Sequence, residues 1–452
     1  MSSDYERPAA ESEISPGVVY TDTLTGLGNR LRLEQKFHRL VQERAADPAP
    51  FTVGIANIDG FKPINDLFGT EAGDKILCQV AHRLKACLPD GASAMRYGGD
   101  SIAFLLPLVF EAQSAERVGQ MIKDVLSAPY DLGDRHVRLS ASFGLAIHPF
   151  AGDTFSELMK SAETALYRSK RRGRGQITVY SREIAQEMKR ATQLEQALRN
   201  AIIQDAVEVH FQPIVRLTDG CVIGFEALAR WNDPDLGMVS PAVFVPLAEE
   251  RGFIDALSET LLRKAAETAL TWPRELFLSF NLSSAQLMDP NIADTILSIL
   301  GRVGLDPRRL ELEITETAVV SSAETAERII ADLRRAGVRI SLDDFGTGQS
   351  SLGRLRDFSF DKVKIDRAFV SRIRTDRPSE HIIKAILTMC EGLDLEVVAE
   401  GIEEPLEAEK LKHLGCLMGQ GYFYGRPVDA RATSLFLERN YRDHGAMQSA
   451  AQ

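Results

Sequence analysis

The sequence is poor in the residues that would crosslink a fold or bind a transition metal. It has five cysteines in 452 residues and no CxxC pair, and its eight histidines show no pair at metal-ligand spacing. The cysteines are Cys78, Cys87, Cys221, Cys390 and Cys416. This pattern argues against a disulfide framework or a zinc site and predicts reduced thiols. Any bound metal is therefore expected to have oxygen ligands.

Long apolar runs and excess positive charge are also missing. No segment approaches the ~20 apolar residues that a membrane helix needs, and the first residues, MSSDYERPAAESEISPG, lack the apolar core of a signal peptide. The formal net charge of −11 argues against broad attraction to nucleic acid or to an anionic membrane. We expect a cytoplasmic protein that binds neither DNA nor membrane, with residues 1–17 disordered.

A chain of 452 residues is too long for one ordinary core, so two domains are expected. Residues 18–180 contain the buried-strand run FTVGIANI (51–58) and a hairpin pattern at 94–107, AMRYGGDSIAFLLP, which indicate an α/β domain. Residues 181–203 carry an apolar stripe at helical spacing and predict a helical linker. A helix docked on one domain and a short coiled coil both fit that stripe.

Strand-like and helical segments alternate over residues 204–440. The strand runs are VEVHFQPIV, CVIGFEALAR, LFLSFNLS, LELEITE, VRISLDD, DKVKID, LEVVAE and CLMGQGY. Eight such runs predict a (β/α)8 barrel of the TIM type. The first two are joined by the short turn RLTDG, so one strand is expected to run antiparallel. Residues 441–452 are predicted to form a C-terminal tail.

Polar residues interrupt the apolar pattern near the C-terminal ends of six barrel strands. Alternate side chains of a strand face opposite sides, so these residues are expected to point into the barrel, where active sites of this fold lie. On five of the strands they are Glu226, Asn281, Glu313, Asp343 with its neighbour Asp344, and Glu400, and on the sixth the inward residue is Lys364. Taken singly, each could be a helix cap or an ion-pair partner, but their joint placement favours a metal site.

A ring of carboxylates repels itself unless cations neutralise it, and an all-oxygen set favours Mg²⁺ or Mn²⁺. Two ions ~3.5–4 Å apart suit in-line attack of water on a phosphodiester. Lys364 lies on a neighbouring strand and could orient that water or help to deprotonate it.

These residues lie in blocks that resemble the EAL family of cyclic di-GMP phosphodiesterases over residues ~195–440. Glu226-Ala227-Leu228 matches the family signature, and it is accompanied by FQPIV, NLS, LEITET, DDFGTGQSS, KID, VAEGIEE and GQGY. The resemblance implies a (β/α)8 barrel that cuts cyclic di-GMP to linear pGpG with two Mg²⁺ or Mn²⁺ ions. It also implies a homodimer, and the motility and biofilm control that this second messenger usually governs.

The resemblance assigns roles to single residues. It implies metal binding by the acidic set and Asn281, and contact with the nucleophilic water by Lys364. Glu316 resembles the glutamate that anchors the DDFGTG loop, while Glu403 and Gln420 resemble groups that orient water. Ligand contacts are implied for Gln212, Leu228 and Arg230, the last with a phosphate. An active hydrolase is therefore expected; the alternatives are a non-catalytic cyclic di-GMP receptor and a bifunctional cyclase and phosphodiesterase.

Residues ~20–180 resemble the GGDEF family of diguanylate cyclases. The matching blocks are DTLTGLGNR (22–30), NIDGFKPINDLFGTEAGD (57–74) and RYGGDSIAF (96–104). Active members have Asp at the position of Asn57 and an acid at that of Ser101, so Asp100 alone remains of that cluster, with Asp59 close by in sequence. Loss of two carboxylates should weaken Mg²⁺ binding. The resemblance therefore implies a degenerate domain without cyclase activity.

Four further positions match GTP contacts of the cyclase family. Asn65 and Asp74 match residues that read guanine, while Lys170 and Arg174 match phosphate contacts one helical turn apart. The plainer interpretation is a turn residue at Asn65 and a solvated, basic helix end at SKRRGR. GTP binding without turnover and no binding both stay open. The domain is expected to regulate the barrel through GTP, or through dimer geometry transmitted by residues 181–203.

Overall fold

The computed structural model describes residues 20–45, 49–133, 135–316, 318, 323–345 and 358–439, apart from the side chains of Ala323 and Asp344. The chain divides into two compact units, residues 1–192 and 193–452. The predicted disordered start and C-terminal tail lie outside the described residues. Among the described residues, no helix is long and apolar enough to cross a membrane.

The first unit has the mixed α/β composition that its sequence pattern predicts. Its helices are α1 Arg30–Glu43, α2 Phe61–Phe68, α3 Thr70–Cys87, α4 Ala112–Leu126, α5 Phe155–Arg171 and the start of α6 Arg182–Ile203. Its strands are β1 Phe51–Asp59, β2 Ser93–Gly98, β3 Ser101–Leu106, β4 Tyr130–Asp131, β5 His136–Val137, β6 Ser140–His148 and β7 Ile177–Val179. The predicted strand at 51–58 and the predicted hairpin at 94–107 are confirmed as β1 and as β2 with β3.

Five of these strands form one sheet in the order β2-β3-β1-β6-β7. The central strand β1 is antiparallel to both β3 and β6. Its alternate side chains enter two different cores: Val53 and Ile55 pack with residues of α1 and α5, and Ile58 packs with residues of α3 and α4. The sheet is therefore covered by helices on both faces, and the end of β1 meets the hairpin loop between β2 and β3.

Helix α5 packs directly on this sheet. It begins with a capping box in which Thr154 and Glu157 each bind the other's backbone N–H. It crosses β6 at Gly144, where an added Cβ would collide with the carbonyl oxygen of Ala162. Glycine at this position therefore allows the close approach of helix and strand.

Helix α6 runs without a break across the division between the two units. In its first half Ile184 is buried, and Glu187 pairs with Arg168 of α5 at 2.8 Å. In its second half Leu198 is buried, and Glu195 pairs with Arg251 at 2.8 Å. Each half of the helix is thus fastened to the unit to which it belongs.

The second unit is the predicted barrel. Its strands are β8 Glu208–Arg216, β9 Val222–Asp233, β10 Gly237–Val239, β11 Phe277–Leu282, β12 Leu310–Thr315, β13 Arg339–Phe345, β14 Lys362–Ile365, β15 Glu396–Ala399 and β16 Met418–Gln420. Its helices are α7 Pro241–Arg251, α8 Ile254–Ala269, α9 Ile292–Val303, α10 Ala323–Arg335, α11 Arg367–Val370, α12 Arg377–Gly392 and α13 Pro405–His413, with further helix at 430–439.

Eight strands close into the barrel in the order β8-β9-β11-β12-β13-β14-β15-β16, and β16 returns to β8. Strand β8 is antiparallel to both of its neighbours, as the RLTDG turn predicts, while the other neighbouring pairs are parallel. The short β10 lies outside the barrel and pairs antiparallel with the last residues of β9. Outward residues such as Leu278, Leu312 and Ile340 are fully buried beneath the helices, so the polar residues between them face the interior.

Candidate active site

The ammonium of Lys364 lies at the centre of the barrel mouth. Its Nζ atom is 2.7 Å from Glu313 Oε2 and 2.5 Å from Glu400 Oε1. It is also 3.9 Å from Glu226 Oε1 and 3.9 Å from Asp343 Oδ1. The side chain of Lys364 is only 2% exposed. Four carboxylates from different strands therefore converge on one buried cation, as strand parity predicts.

Amide side chains fix the carboxylate of Glu226. Asn281 Nδ2 donates to Glu226 Oε1 at 2.8 Å, and Gln420 Nε2 donates to Glu226 Oε2 at 2.5 Å. Gln420 Nε2 also lies 3.1 Å from Gln212 Oε1, and Gln212 in turn donates to the carbonyl of Gly425. Both oxygens of Glu226 thus have a set direction, and the predicted residues Gln212, Asn281 and Gln420 belong to one network.

The charges in this network are unbalanced. Burial raises the pKa of Glu313 well above its ordinary value, and the neighbouring charge of Glu226 raises it further. Burial also raises the pKa of Glu400 to about 8 against the opposing pull of Lys364. Burial lowers the pKa of Lys364, but the surrounding carboxylates outweigh that effect and raise it well above its ordinary value. Without a bound metal cation, Lys364 therefore stays protonated at neutral pH, which fits an orienting role.

The donor set fits a hard divalent cation. Among the described side chains, no three potential ligands already form a metal-sized cage, because Lys364 stands between the acids. The four carboxyl groups outnumber the single ammonium, and the raised pKa values of Glu313 and Glu400 reflect the cost of ionising all four without a further cation. The buried Gln420 Oε1 also has no hydrogen-bond partner in the described part of the chain. Carboxylate and amide oxygens suit Mg²⁺ or Mn²⁺.

A cavity of about 240 Å³ opens above these groups. Its lining includes Glu226, Asp343, Lys364, Glu400 and Gln420. Leu228 lines this cavity and also a second, mainly apolar cavity of about 400 Å³ that reaches Asn281 and α7. The barrel mouth therefore has a cavity lined by charged side chains next to a cavity lined mainly by apolar ones.

The remaining predicted residues lie around this mouth. Glu403 pairs with Arg367 at 2.8 Å on the cavity rim. Arg230 is half-buried near the end of β9, and Glu316 follows the end of β12 directly. The side chain of Asp344 and residues 346–357, which include the end of the DDFGTG segment that Glu316 is predicted to anchor, lie outside the described residues.

Sequence reasoning missed three residues at this site. Ser279 faces inward on β11 and donates to Glu313 Oε1 at 2.6 Å. Arg367 and Tyr422 line the cavity rim. The alternation that identified Asn281 also places Ser279 on the inner face, so strand parity could have found it. Arg367 begins α11 after β14, and Tyr422 follows the end of β16, so strand alternation does not decide the direction of either side chain.

The first unit brings together the residues of the predicted degenerate site. Asn57 Nδ2, near the end of β1, donates to Asp100 Oδ1 at 2.7 Å and to Ser101 Oγ at 3.1 Å. One carboxylate thus shares this point with an amide and a hydroxyl. Asp59 does not add to it, because its carboxylate accepts hydrogen bonds from Ser140 Oγ, Ser142 Oγ and Gly175 N.

The residues predicted to contact GTP lie on different elements of the first unit. Asn65 lies on α2 against Gly73, beside the exposed Asp74, and its buried Oδ1 has no hydrogen-bond partner among the described residues. The prediction that Lys170 and Arg174 lie one helical turn apart is wrong. Helix α5 ends at Arg171, and Arg174 lies beyond it with a left-handed backbone at φ 58°. The glycines on either side turn the chain out of the helix.

Comparisons with known proteins match both units. A family model described as "EAL domain" matches residues 195–427, and one described as "Diguanylate cyclase, GGDEF domain" matches residues 19–176. The Pseudomonas aeruginosa protein "Bifunctional diguanylate cyclase/cyclic di-GMP phosphodiesterase MucR" is 35% identical over 90% of the chain. "Cyclic di-GMP phosphodiesterase NbdA" from the same species is 35% identical over 93% of the chain.

The chain spans 60% of the length of the first of these relatives and 54% of the second. A solved structure named "PaMucR Phosphodiesterase, c-di-GMP complex" is 36% identical, with a TM-score of 0.52, and the match covers 53% of this chain and 99% of that one.

Proposed function

The chain belongs to the EAL domain family and carries a GGDEF domain ahead of it, and from this we propose that the barrel is a metal-dependent phosphodiesterase that hydrolyses cyclic di-GMP to linear pGpG. The convergence of carboxylates from four strands on Lys364 carries the proposal. Relatives whose names state a cyclic di-GMP phosphodiesterase support the choice of substrate.

The reaction would use two Mg²⁺ or Mn²⁺ ions. The proposed ligands are Glu226, Asn281, Glu313, Asp343, Asp344 and Glu400. When bound, such ions polarise a phosphoryl oxygen and lower the pKa of a coordinated water. The excess of carboxylate charge over the single ammonium supports this assignment.

The chain's own residues supply orientation and charge. Asn281 and Gln420 hold the two oxygens of Glu226 in fixed directions. Protonated Lys364 keeps Glu313 and Glu400 in place and would stabilise negative charge that develops at the reacting phosphate. Arg230 and Arg367 offer positive charge to the phosphates. The two cavities that share Leu228 would receive the bases.

One pair of chromatographic assays separates the candidate functions. A hydrolase converts cyclic di-GMP with Mg²⁺ to pGpG, whereas a receptor binds the dinucleotide and leaves it intact. A bifunctional protein would also make cyclic di-GMP from GTP. We expect pGpG from the first incubation and no cyclic dinucleotide from the second. Binding without cleavage in the first incubation would contradict the proposed activity.

We propose that the GGDEF domain is not a cyclase. Asn57 lies within hydrogen-bond distance of both Asp100 and Ser101, but one carboxylate replaces the expected set and an amide donates where a cation would bind. Cyclic di-GMP formed from GTP with Mg²⁺, and lost in Asp100→Ala, would contradict this. The domain's proposed role is regulatory, through GTP held by Asn65, Asp74, Asp100, Lys170 and Arg174 or through the geometry of a homodimer.

A further inference from the structure

The carboxylate of Glu313 is more deeply enclosed than those of its neighbours around Lys364. Its side chain is 0% exposed, against 9% for Glu226, 15% for Asp343 and 21% for Glu400. Its Oε2 atom lies 2.7 Å from Lys364 Nζ. The last torsion of a glutamate has a broad energy profile, so the side chain alone does not decide which way the two oxygens point.

The other oxygen of Glu313 is held by a serine on the neighbouring strand. Ser279 Oγ donates to Glu313 Oε1 at 2.6 Å, and Ser279 is itself 0% exposed. A serine hydroxyl has one proton to donate, and here it goes to this carboxylate. With Oε1 fixed, Oε2 is directed to the ammonium side of the site.

We infer that Ser279 is a positioning residue for Glu313: it holds one carboxylate oxygen and so leaves the other, which faces Lys364, as the oxygen that would bind a divalent cation. The inference rests on the proposed function, because it requires Glu313 to be a ligand of the proposed divalent cation. Hydrogen bonds to metal ligands fix their orientation, and loss of such a bond typically weakens metal affinity or activity 10- to 100-fold.

The barrel provides a matched control. Ser341 also faces inward, on β13, and it is 0% exposed. It lies in register with Glu313, but its Oγ has no hydrogen-bond partner among the described residues. Removal of a hydroxyl without a partner should have little effect. Ser279→Ala and Ser341→Ala therefore delete the same atom from similar surroundings, and only the first loses a contact to Glu313.

The test is isothermal titration of the full chain with Mg²⁺ in the absence of nucleotide, followed by turnover of cyclic di-GMP as a function of Mg²⁺ concentration. We expect Ser279→Ala to weaken Mg²⁺ binding ~10- to 100-fold and to recover part of its turnover at saturating Mg²⁺. We expect Ser341→Ala to match the unsubstituted protein. Thermal melting of both variants separates a loss of affinity from a loss of folded protein.

Equal Mg²⁺ affinity in Ser279→Ala and the unsubstituted protein would overturn the inference, as would equal weakening in both variants. If the unsubstituted protein binds neither Mg²⁺ nor Mn²⁺, this inference and the proposed function fall together. If it binds Mg²⁺ and cleaves nothing, the proposed activity falls, while the two titrations still decide the role of Ser279. If it cleaves normally and Ser279→Ala does too at every Mg²⁺ concentration, only this inference falls.

Discussion

At the scale of single residues, the barrel mouth is governed by charge imbalance. One ammonium, on Lys364, faces four carboxylates within 3.9 Å. Burial strengthens each interaction and also raises the energy of each unpaired charge. A further cation bound among the carboxyl groups around Lys364 would therefore lower the electrostatic energy of the site.

Glu226→Gln tests the charge of one acid while preserving its shape. Glutamine keeps the size of the side chain and loses its charge. Asn281 and Gln420 both donate to Glu226, so one of these two amides must turn over to accept from the new NH2 group. We expect turnover to fall at least ~100-fold, or about 2.7 kcal/mol of barrier, with the melting temperature little changed. Glu208→Gln, exposed at the start of β8, serves as the control and should not alter turnover. Unchanged turnover in Glu226→Gln would remove its proposed metal role.

The raised pKa of Glu400 predicts a pH dependence of the metal-free protein. Because burial raises that pKa from 4.5 to about 8, the folded protein binds more protons than the unfolded chain between these values. Stability without metal should therefore fall as pH rises from 4.5 to 8, and stabilisation by Mg²⁺ should grow over the same range. Thermal melting at several pH values, with and without Mg²⁺, measures both trends. Glu400→Gln should flatten the metal-free trend, and a trend of opposite sign would contradict the assignment.

Much of the site could be predicted from single residues. Alternation placed Glu226, Asn281, Glu313 and Asp343 on the inner face, and the structure joins all four to one network. Alternation does not say which inward side chains form hydrogen bonds with each other, so the sequence pattern could not predict the contact of Ser279 with Glu313. The metal roles themselves stay predictions.

At the scale of elements, Glu311 on β12 and Lys362 on β14 form a buried ion pair. The two strands lie on either side of β13. Lys362 Nζ lies 2.5 Å from Glu311 Oε2, and the two side chains are 0% and 1% exposed. The ammonium also stands 4.2 Å from the ring centroid of Phe277. This pair lies on the same inward faces as the site, two residues earlier on each strand than Glu313 and Lys364.

Lys362→Met is expected to destabilise the barrel strongly, because it leaves the carboxylate of Glu311 buried without its ammonium. Removal of one partner of a buried pair typically costs about 3–5 kcal/mol. Denaturant unfolding of the barrel transition measures the loss. Arg335→Met, which breaks an exposed pair with Asp332, should change stability by no more than ~1 kcal/mol. Similar losses in both variants would show that burial does not set the effect.

The strands and helices were largely predictable, because the barrel strands are apolar on one face and each is bounded by turn residues. The antiparallel β8 followed from the short RLTDG turn. The prediction for the basic segment was wrong, because α5 ends at Arg171 and the chain turns away with positive φ at Gly173, before Arg174. The charge of SKRRGR favours a helix end, but it does not locate that end to the residue.

At the scale of the whole chain, α6 is the covalent link between a domain proposed to regulate and a domain proposed to hydrolyse. Its first half is fastened by the pair of Glu187 with Arg168, and its second half by that of Glu195 with Arg251. The division between the units falls after Thr192, within the helix. The predicted boundaries at 180/181 and 203/204 stay predictions, since apolar periodicity marks a helix and not the edge of a unit.

Glycine substitutions at this division test the regulatory proposal. If GTP binds the first domain and acts through α6, it should change the hydrolysis rate of the unsubstituted chain at least ~5-fold. Thr192→Gly with Gln193→Gly, both exposed, weakens the helix by about 1 kcal/mol per residue relative to alanine at the same positions, and should reduce that response without removing basal activity. Thr192→Ala with Gln193→Ala should retain it. A full GTP response in the glycine variant would contradict transmission through the helix.

The most direct test of the proposed activity is hydrolysis in water enriched in ¹⁸O. Purified protein is mixed with cyclic di-GMP and saturating Mg²⁺ or Mn²⁺, and the products are resolved by mass spectrometry. We expect linear pGpG with one ¹⁸O atom in its terminal phosphate, and no product when the metal is chelated. Cyclic di-GMP that stays intact at saturating concentrations of both metals would contradict the claim that the acidic barrel mouth is a hydrolytic site.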